Sequence, residues 1–407
     1  MEKLNIFKLI KLGFWDTCFV WKNEFKHVFK DLGVLLFFFG LPFGYPILYA
    51  LIYNPEVVRE VPMVVVDNAR TPLSREFSQK MDASPNAKII SYCADLEEAK
   101  RFLYEKKAFG ILFIPSDFSR NLYRGEQSVV TFYSDMSILL NYKGFLTSLI
   151  DVSMLMNAEL QTAALPGATD EQLAMATQPI PYESVTLYNP ESGFGTFLIP
   201  AILMLILQQS LVLGIGMLAG GIYEHHQLRY YYSENRLMAN NITHLVMGKA
   251  LCYFCLFILP AVFLMHVVPH IFSYPQLGSQ WHIYSFAVPY ILACIFFAMT
   301  LSVFVRERET SFLLFVFTSL IFLFISGITW PTYAMPPVWR YMGYLIPSTF
   351  GIEGFVKMST GGSEIYEVSD SYIALWIQAG GYFISTCLIY RYQLYRDKQR
   401  GFSGEMK

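Results

Sequence analysis

Charge is what this 407-residue sequence has least of: 15% of it is Asp, Glu, Lys or Arg, against 54% hydrophobic and 17% aromatic residues. The net charge of −2 provides no basic field, which argues against nucleic acid as a partner. No GxxxxGK[ST] run occurs, so the chain does not hold ATP by a phosphate loop. No GxSxG or HExxH run occurs either, which removes the local signatures of a serine nucleophile and a zinc hydrolase. Of the six cysteines only Cys93 falls in the large polar segment, so that segment has no internal disulfide. No cleavable signal peptide is visible: the start is lysine-rich and amphipathic, without a continuous apolar core before Val34.

What is abundant is apolar sequence in long runs, and it predicts a polytopic membrane protein. Residues 1–31 read as an interfacial helix. Phe7, Ile10, Phe14, Cys18, Trp21, Phe25 and Val28 recur at steps of three and four, with Lys8, Lys26 and Lys30 to one side. The alternative is an amphipathic helix packed on a soluble partner. The first span is expected at 33–53, within a segment 32–53, kinked by Pro42 and Pro46. Lys22, Lys26 and Lys30 precede it, which places its start in the cytoplasm.

Residues 54–190 leave the membrane and read as an α/β unit. Strands are expected at 63–66, 88–92, 109–114 and 129–133, and a long helix at 138–163. Thr71 followed by Pro72 starts one helix, and Asp95 with Glu98 has capping-box spacing for another. With the first span running outward, this unit is extracytoplasmic. Spans two to six are expected within 191–390, at 194–222, 245–268, 283–305, 312–328 and 372–390. Arg306-Glu307-Arg308-Glu309 must be a loop, since each charge at mid-membrane costs about 2.5–3.5 kcal/mol. The polar segment 223–244 is cytoplasmic by alternation of spans, and 391–407 is a cytoplasmic tail. The expected fold is thus a polytopic α-helical membrane protein, six spans with a re-entrant hairpin and an interfacial helix, carrying an inserted extracytoplasmic α/β domain.

The stretch 326–347, SGITWPTYAMPPVWRYMGYLIP, interrupts this pattern. Gly327, Pro331, Pro336, Pro337 and Pro347 stand where a continuing span would not tolerate them. It is either a plain exterior turn or a pair of short helices dipping back into the membrane, and backbone broken at that depth must be shielded. Gln208 and Gln209 sit in mid-span, where they line a substrate path or make an interhelical hydrogen bond. Glu353 and Lys357 are spaced for a helical ion pair, with a role in an outer gate as the alternative. Cys252-x-x-Cys255 lies on an apolar helix and reads as packing. His266 and His270 are spaced by four, but Pro269 interrupts them; no metal site is expected.

Four blocks together resemble the permease subunits of type-2 ABC exporters, in the group with a large extracytoplasmic domain between the first two spans. They are 64–74 (VVVDNARTPLS), 108–119 (AFGILFIPSDFS), Gly248-Lys249, and the set Ser326, Gly327, Pro331, Met335, Pro336, Trp339 and Pro347. An acidic run common after the second span in that group is reduced here to Glu224. The resemblance implies a half-transporter that is not an enzyme by itself. Its partners would be a separate ABC ATP-binding subunit, which binds ATP and Mg, and a second permease copy or paralogue. Membrane lipid surrounds it, and the resemblance also allows a periplasmic adaptor with an outer-membrane channel. The location implied is the cell inner membrane, with both termini cytoplasmic. Glu224, His225, Arg229, Glu234 and Arg236 would carry the coupling surface. The segment 326–357, with Glu353, would form the outer gate. The cargo would be amphipathic or hydrophobic, such as a drug or lipid. Two other classes compete: a non-transporting scaffold or sensor that binds a partner through 54–190, and a membrane enzyme acting on lipid.

Overall fold

The computed structural model describes residues 6–178, 185–190, 192–224 and 242–404, with the side chains of 6–10 and 396–404 left aside. The chain divides into two compact units, Val57–Val185 and the remainder, Met1–Glu56 with Thr186–Lys407.

The larger unit is helical. Helix α1 is Ile6–Lys30. Among the described residues, five helices, α1 not included, are long and apolar enough to cross a membrane. In chain order the first is α2, Leu32–Ile52, and the other four are named below as α8, α9, α10 and α14. The chain is therefore a multi-pass helical membrane protein. Helix α2 starts where Asp31 accepts hydrogen bonds from the Gly33 and Val34 N–H groups (3.1 and 3.2 Å). The same carboxylate pairs with Arg308.

Between Val57 and Val185 lie, in order, β1 (Val61–Asp67), α3 (Pro72–Asp82), β2 (Ala87–Tyr92), α4 (Leu96–Tyr104), β3 (Gly110–Ile114), α5 (Phe118–Tyr123), β4 (Thr131–Ser134), α6 (Leu139–Ala164) and α7 (Asp170–Thr177). The sheet order is β2-β1-β3-β4, with β1 parallel to both β2 and β3, and β4 antiparallel to β3. Val61, Met63 and Val65 face α3, α5 and α6, while Val64 and Val66 pack with α4. Burial of β1 on both faces is why it reads as a continuous apolar run. Thr71 caps α3 with Pro72 at its first position, and Ser74 supplies the reciprocal bond to the Thr71 N–H (3.0 Å). Asp95 accepts from the Glu98 N–H, while the Glu98 carboxylate accepts from Ala94 rather than from Asp95 itself (both 2.7 Å).

After this unit come α8 (Phe194–Glu224), α9 (Ile242–Ile271), α10 (Gln280–Phe304), α11 (Thr310–Ile325), α12 (Pro337–Gly343), α13 (Pro347–Ser359) and α14 (Ser369–Gly404). Helix α8 is the hub: 89% of its apolar window is buried inside the chain. Its glycines admit three neighbours. A Cβ at Gly214 would lie 2.0 Å from Phe38 of α2, one at Gly216 3.1 Å from Ser311, and one at Gly220 2.8 Å from the Glu307 carbonyl. The start of α8 is capped from far away in sequence: the Glu56 carboxylate accepts from the Thr196 N–H and hydroxyl (both 3.0 Å), and the Glu56 carbonyl accepts from the Phe194 N–H (2.9 Å). Glu56 thus belongs with the helical unit, and the α/β unit begins three residues later than the expected 54. Pro269 leaves the Met265 carbonyl without its helical donor, and Gln276 Nε2 supplies one (2.8 Å).

One expectation changes, and one helix shows its contacts. The fifth span, expected at 312–328, is a 16-residue helix, Thr310–Ile325, about 24 Å long and shorter than the roughly 30 Å hydrocarbon core. It stops because Gly327 takes a left-handed conformation (φ +88°) just past its end. In α1 the face turned inward runs beside the aromatic stripe and shares Val28 with it, while Trp21 and Phe25 pack at its edge. Gly13, Asp16, Val20, Glu24 and Val28 are buried, whereas Phe14 is two-thirds exposed.

That buried face docks α1 onto α9. Gly248 admits it, since a Cβ there would meet Thr17 O and Val20 at 2.8 and 2.7 Å. Next to it Lys249 pairs with Glu24 (3.1 Å), and Tyr253 donates to the same carboxylate. Both charges are fully buried. Burial pushes the Glu24 carboxyl up, but the Lys249 charge, the Tyr253 and Lys249 hydrogen bonds and His27 outweigh it and hold the group below its ordinary value.

Removing one partner of a buried pair strands the other. Lys249→Met should destabilise the protein by about 3–5 kcal/mol, and the double change Glu24→Gln with Lys249→Met should recover much of that, read as thermal melting in detergent. Because the folded value of Glu24 lies below the unfolded one, the anchor is intact above the ordinary carboxylate range and is lost as pH falls through the folded value. A pH-melting curve of the double variant should lack that acid limb.

Candidate functional site

The stretch 326–347 and the helix after it form the most irregular part of the helical unit. Chain direction breaks repeatedly there. Ser326 caps the end of α11, Pro331 precedes a single 3-10 turn at Thr332–Ala334, Met335 is extended, and Pro336 and Pro337 start α12. Each break frees backbone groups that need partners outside their own helix.

The structure accounts for these groups one by one. At the start of α13, Pro347 has no N–H to satisfy. The Ser348 N–H donates to Gln208 Oε1 of α8 (2.7 Å), a residue 140 positions away. The Thr349 N–H donates to the Ile346 carbonyl (3.1 Å). Beyond the end of α12, the Tyr344 carbonyl accepts from Gln378 Nε2 (2.8 Å) and the Leu345 carbonyl from the Tyr382 hydroxyl. Both donors lie on α14. The Ala334 carbonyl accepts from Trp330 Nε1 (3.2 Å). Helix α13 then lies against α10 through two glycines: a Cβ at Gly351 would sit 2.2 Å from Tyr290, and one at Gly354 2.3 Å from Phe286. The Tyr290 hydroxyl donates to the Met204 carbonyl of α8 (2.5 Å).

Gln208 is fully buried, about 21 Å along α8 from Phe194. Cys294 Sγ stands 3.9 Å from its Oε1. Gln209 is also buried, and neither end of its amide has a hydrogen-bond partner. Glu353 pairs with Lys357 at 2.7 Å on a half-exposed face of α13. Trp339 is half-exposed on α12, as are its neighbours Val338 and Tyr341. Ser326, Gly327, Glu353 and Lys357 come together around one cavity, whereas Met335, Pro336 and Trp339 do not line it. Glu224 is the last residue of α8 and is exposed. His225, Arg229, Glu234 and Arg236 lie outside the described residues.

Gln378 and Tyr382 were not singled out by sequence reasoning. Their signal is weak: polar side chains on an apolar helix, one turn apart. The α/β unit holds a second polar cluster where blocks 64–74 and 108–119 converge, at the carboxyl ends of β1 and β3. Asp67 accepts from Ala69 and Arg70 N–H (both 3.0 Å) and from Ser74 Oγ (2.7 Å), and Thr71 Oγ1 lies 2.5 Å from Ser119 Oγ. The cluster uses its hydroxyls on itself, so it ties α3 and α5 to the sheet. Among the described residues, no group of three or more His, Cys, Asp or Glu side chains is placed to hold a metal ion.

A family model described as ABC-2 family transporter protein matches residues 33–388, nearly the whole chain. No curated protein matches it.

Gln208→Leu leaves the buried Ser348 N–H without an acceptor, at a cost of about 1–3 kcal/mol. Expected outcomes are a lower melting temperature and faster hydrogen exchange confined to the first turn of α13. Exchange unchanged there would remove Gln208 from its capping role.

Proposed function

The chain belongs to the ABC-2 transporter family as a membrane permease subunit of an ABC transporter, and from that premise we propose that it is one half of an ATP-driven exporter. Permeases of this family generally work with an ABC ATP-binding subunit, and this chain carries no phosphate-loop sequence of its own. On this reading α11 is the fifth of six spans, short because its far end meets the broken stretch instead of the headgroups. Both termini face the cytoplasm of a cell with the protein in its inner membrane, and Val57–Val185 is extracytoplasmic. Two copies, or this chain and a paralogue, pair in the membrane. Glu224, with His225, Arg229, Glu234 and Arg236, receives the ATP-binding subunit. Gln208 and Gln209 lie beside the path of an amphipathic or hydrophobic cargo. A periplasmic adaptor and outer-membrane channel would continue the route.

The observation that supports this best is the treatment of 326–347. A plain exterior turn can leave its backbone to water. This stretch instead draws acceptors and donors from α8 and α14 for the groups that α12 and α13 leave open. A break stabilised in this way holds a short helix against the middle of α8, which is what a re-entrant gate requires.

The decisive experiment is co-expression with candidate ABC ATP-binding subunits from the same organism, followed by reconstitution in vesicles. Stable association with ATP-dependent movement of an amphipathic dye out of the permease's cytoplasmic side is expected. Failure to associate with any ATP-binding subunit would sink the reading. Pro336→Ala with Pro337→Ala should let helix extend through the turn and slow transport without preventing assembly; normal rates in that variant would reduce the stretch to a loop. Glu224→Lys should lower transport per ATP hydrolysed, and an unchanged ratio would remove it from the coupling surface.

A further inference from the structure

A cavity of about 380 Å³ opens where α2 and α11 begin and α8 ends. One wall is apolar: Leu32 of α2 with Met217, Leu218 and Ile222 of α8. The other is charged, with His27 and Lys30 from the end of α1, Asp31 between the helices, and Arg308 from the loop before α11. The ends of membrane-crossing helices are where charged side chains meet lipid headgroups.

Arg308 is held in this wall from two sides. Its Cδ and Cγ lie 3.8 and 3.9 Å from where a Cβ at Gly221 would stand, and its Nη2 donates to Asp31 Oδ2. Its Nε and Nη1 have no hydrogen-bond partner among the described residues, and the side chain is 38% exposed. Asp31 is the only carboxylate in the lining, and both its oxygens are engaged: Oδ1 by the Gly33 and Val34 N–H groups, Oδ2 by Arg308. Glu307 and Glu309 of the same loop do not line the cavity. Lys30 is exposed and makes no ion pair among the described residues. Lys30 and Arg308 against Asp31 leave the lining with a net charge of +1 before His27 is counted. The Gly33 and Val34 N–H groups are already taken, so the attraction for an anion lies in the side chains and not in the start of α2.

We infer that this cavity binds the phosphate head of an anionic phospholipid. Lys30 and the remaining N–H groups of Arg308 supply the charged donors, and charge-assisted bonds of this kind are the strong ones. The volume falls in the range of small-ligand sites and takes a glycerophosphate head without its acyl chains. The chains have a track of their own. Leu32 and Leu36 stand exposed one turn apart on α2, and Phe29 is exposed at the end of α1. An apolar row beside a basic pocket favours a lipid over a free phosphate, because only the lipid gains from both. A head bound there touches α1, α8 and the loop before α11 at once. The inference requires only that the chain is a membrane protein; the exporter reading plays no part in it, and the lipid is a resident ligand, not cargo.

The test titrates the full chain in detergent with dioctanoyl phosphatidylglycerol and follows bound lipid by native mass spectrometry. Saturable binding is expected. Dioctanoyl phosphatidylcholine, whose choline cancels the phosphate charge, should bind about fivefold more weakly, and glycerol phosphate, a head without chains, should not displace the lipid. Lys30→Ala should weaken binding about fivefold, the scale of one basic residue at an anionic lipid, and Lys30→Arg should restore it. Gly221 has room for a Cβ, so Gly221→Leu fills the cavity and should abolish binding. The melting temperature of each variant without lipid reports that the fold is intact, and if Gly221→Leu melts early the exposed Lys30 decides alone. Equal affinity for phosphatidylcholine, or binding that Lys30→Ala leaves unchanged, overturns the assignment. Displacement by glycerol phosphate at matched concentration assigns the site to a free phosphate and overturns the lipid. No ATP-binding subunit is needed for this measurement, so its failure leaves the exporter reading untouched.

Discussion

The first N–H groups of a helix have no carbonyl partner within it, and the helical unit is arranged around that fact. At α13 the solution has three parts: a proline that removes one donor, a local carbonyl that takes another, and Gln208 of α8 for the Ser348 N–H between them. The broken stretch before it leaves carbonyls open, and α14 answers with Gln378 and Tyr382. Removing any one of these partners leaves a backbone group without its bond, so the break is held in place by its neighbours as well as by its own sequence.

The same logic recurs at two other helix starts. Asp31 caps α2 and binds Arg308 from the loop before α11. Glu56 caps α8 across a gap of 140 residues. Each cap is a polar side chain that ties its helix to a distant part of the chain. The buried Glu24–Lys249 pair differs in kind, because it satisfies charges and not helix ends. Such a pair contributes little net stability, since desolvation offsets most of its attraction. What it does fix is register: α1 can lie on α9 only where Gly248 admits it and Lys249 meets Glu24.

This division explains what the sequence made legible. The apolar runs, the strand pattern and the caps at Thr71 and Asp95 are local, and the elements appear within a few residues of where periodicity puts them. The prolines of 326–347 likewise marked a break. The partners of that break were not legible, because Gln208, Gln378 and Tyr382 are distant in sequence and their roles depend on packing. The contacts of α1 were not legible for a related reason. Its aromatic face is the obvious one, but a helix at a lipid boundary leaves aromatics outward and buries the face that carries its specific contacts. A glutamate at such a position reads as surface charge until Lys249 is brought beside it. Gly248-Lys249, only two residues of the family resemblance, proved to be the point where α1 docks.

Helix α8 is where these constraints meet. It is about 46 Å long, capped by Glu56 at one end and ending in Glu224 at the other, with Gln208 bonded to α13 near its middle. Its glycine contacts with Phe38, Ser311 and Glu307 lie on the Glu224 side of Gln208. A displacement applied near Glu224 therefore meets close-packed backbone and cannot be absorbed locally, because a packed interior yields by shifting whole elements. Helix α13 meets α8 at the Ser348–Gln208 bond and α10 at Tyr290 and Phe286, and its far end accepts from the Leu277 N–H at the Ser359 carbonyl (2.8 Å), so a shift of α8 is passed to α13 as to a packed neighbour.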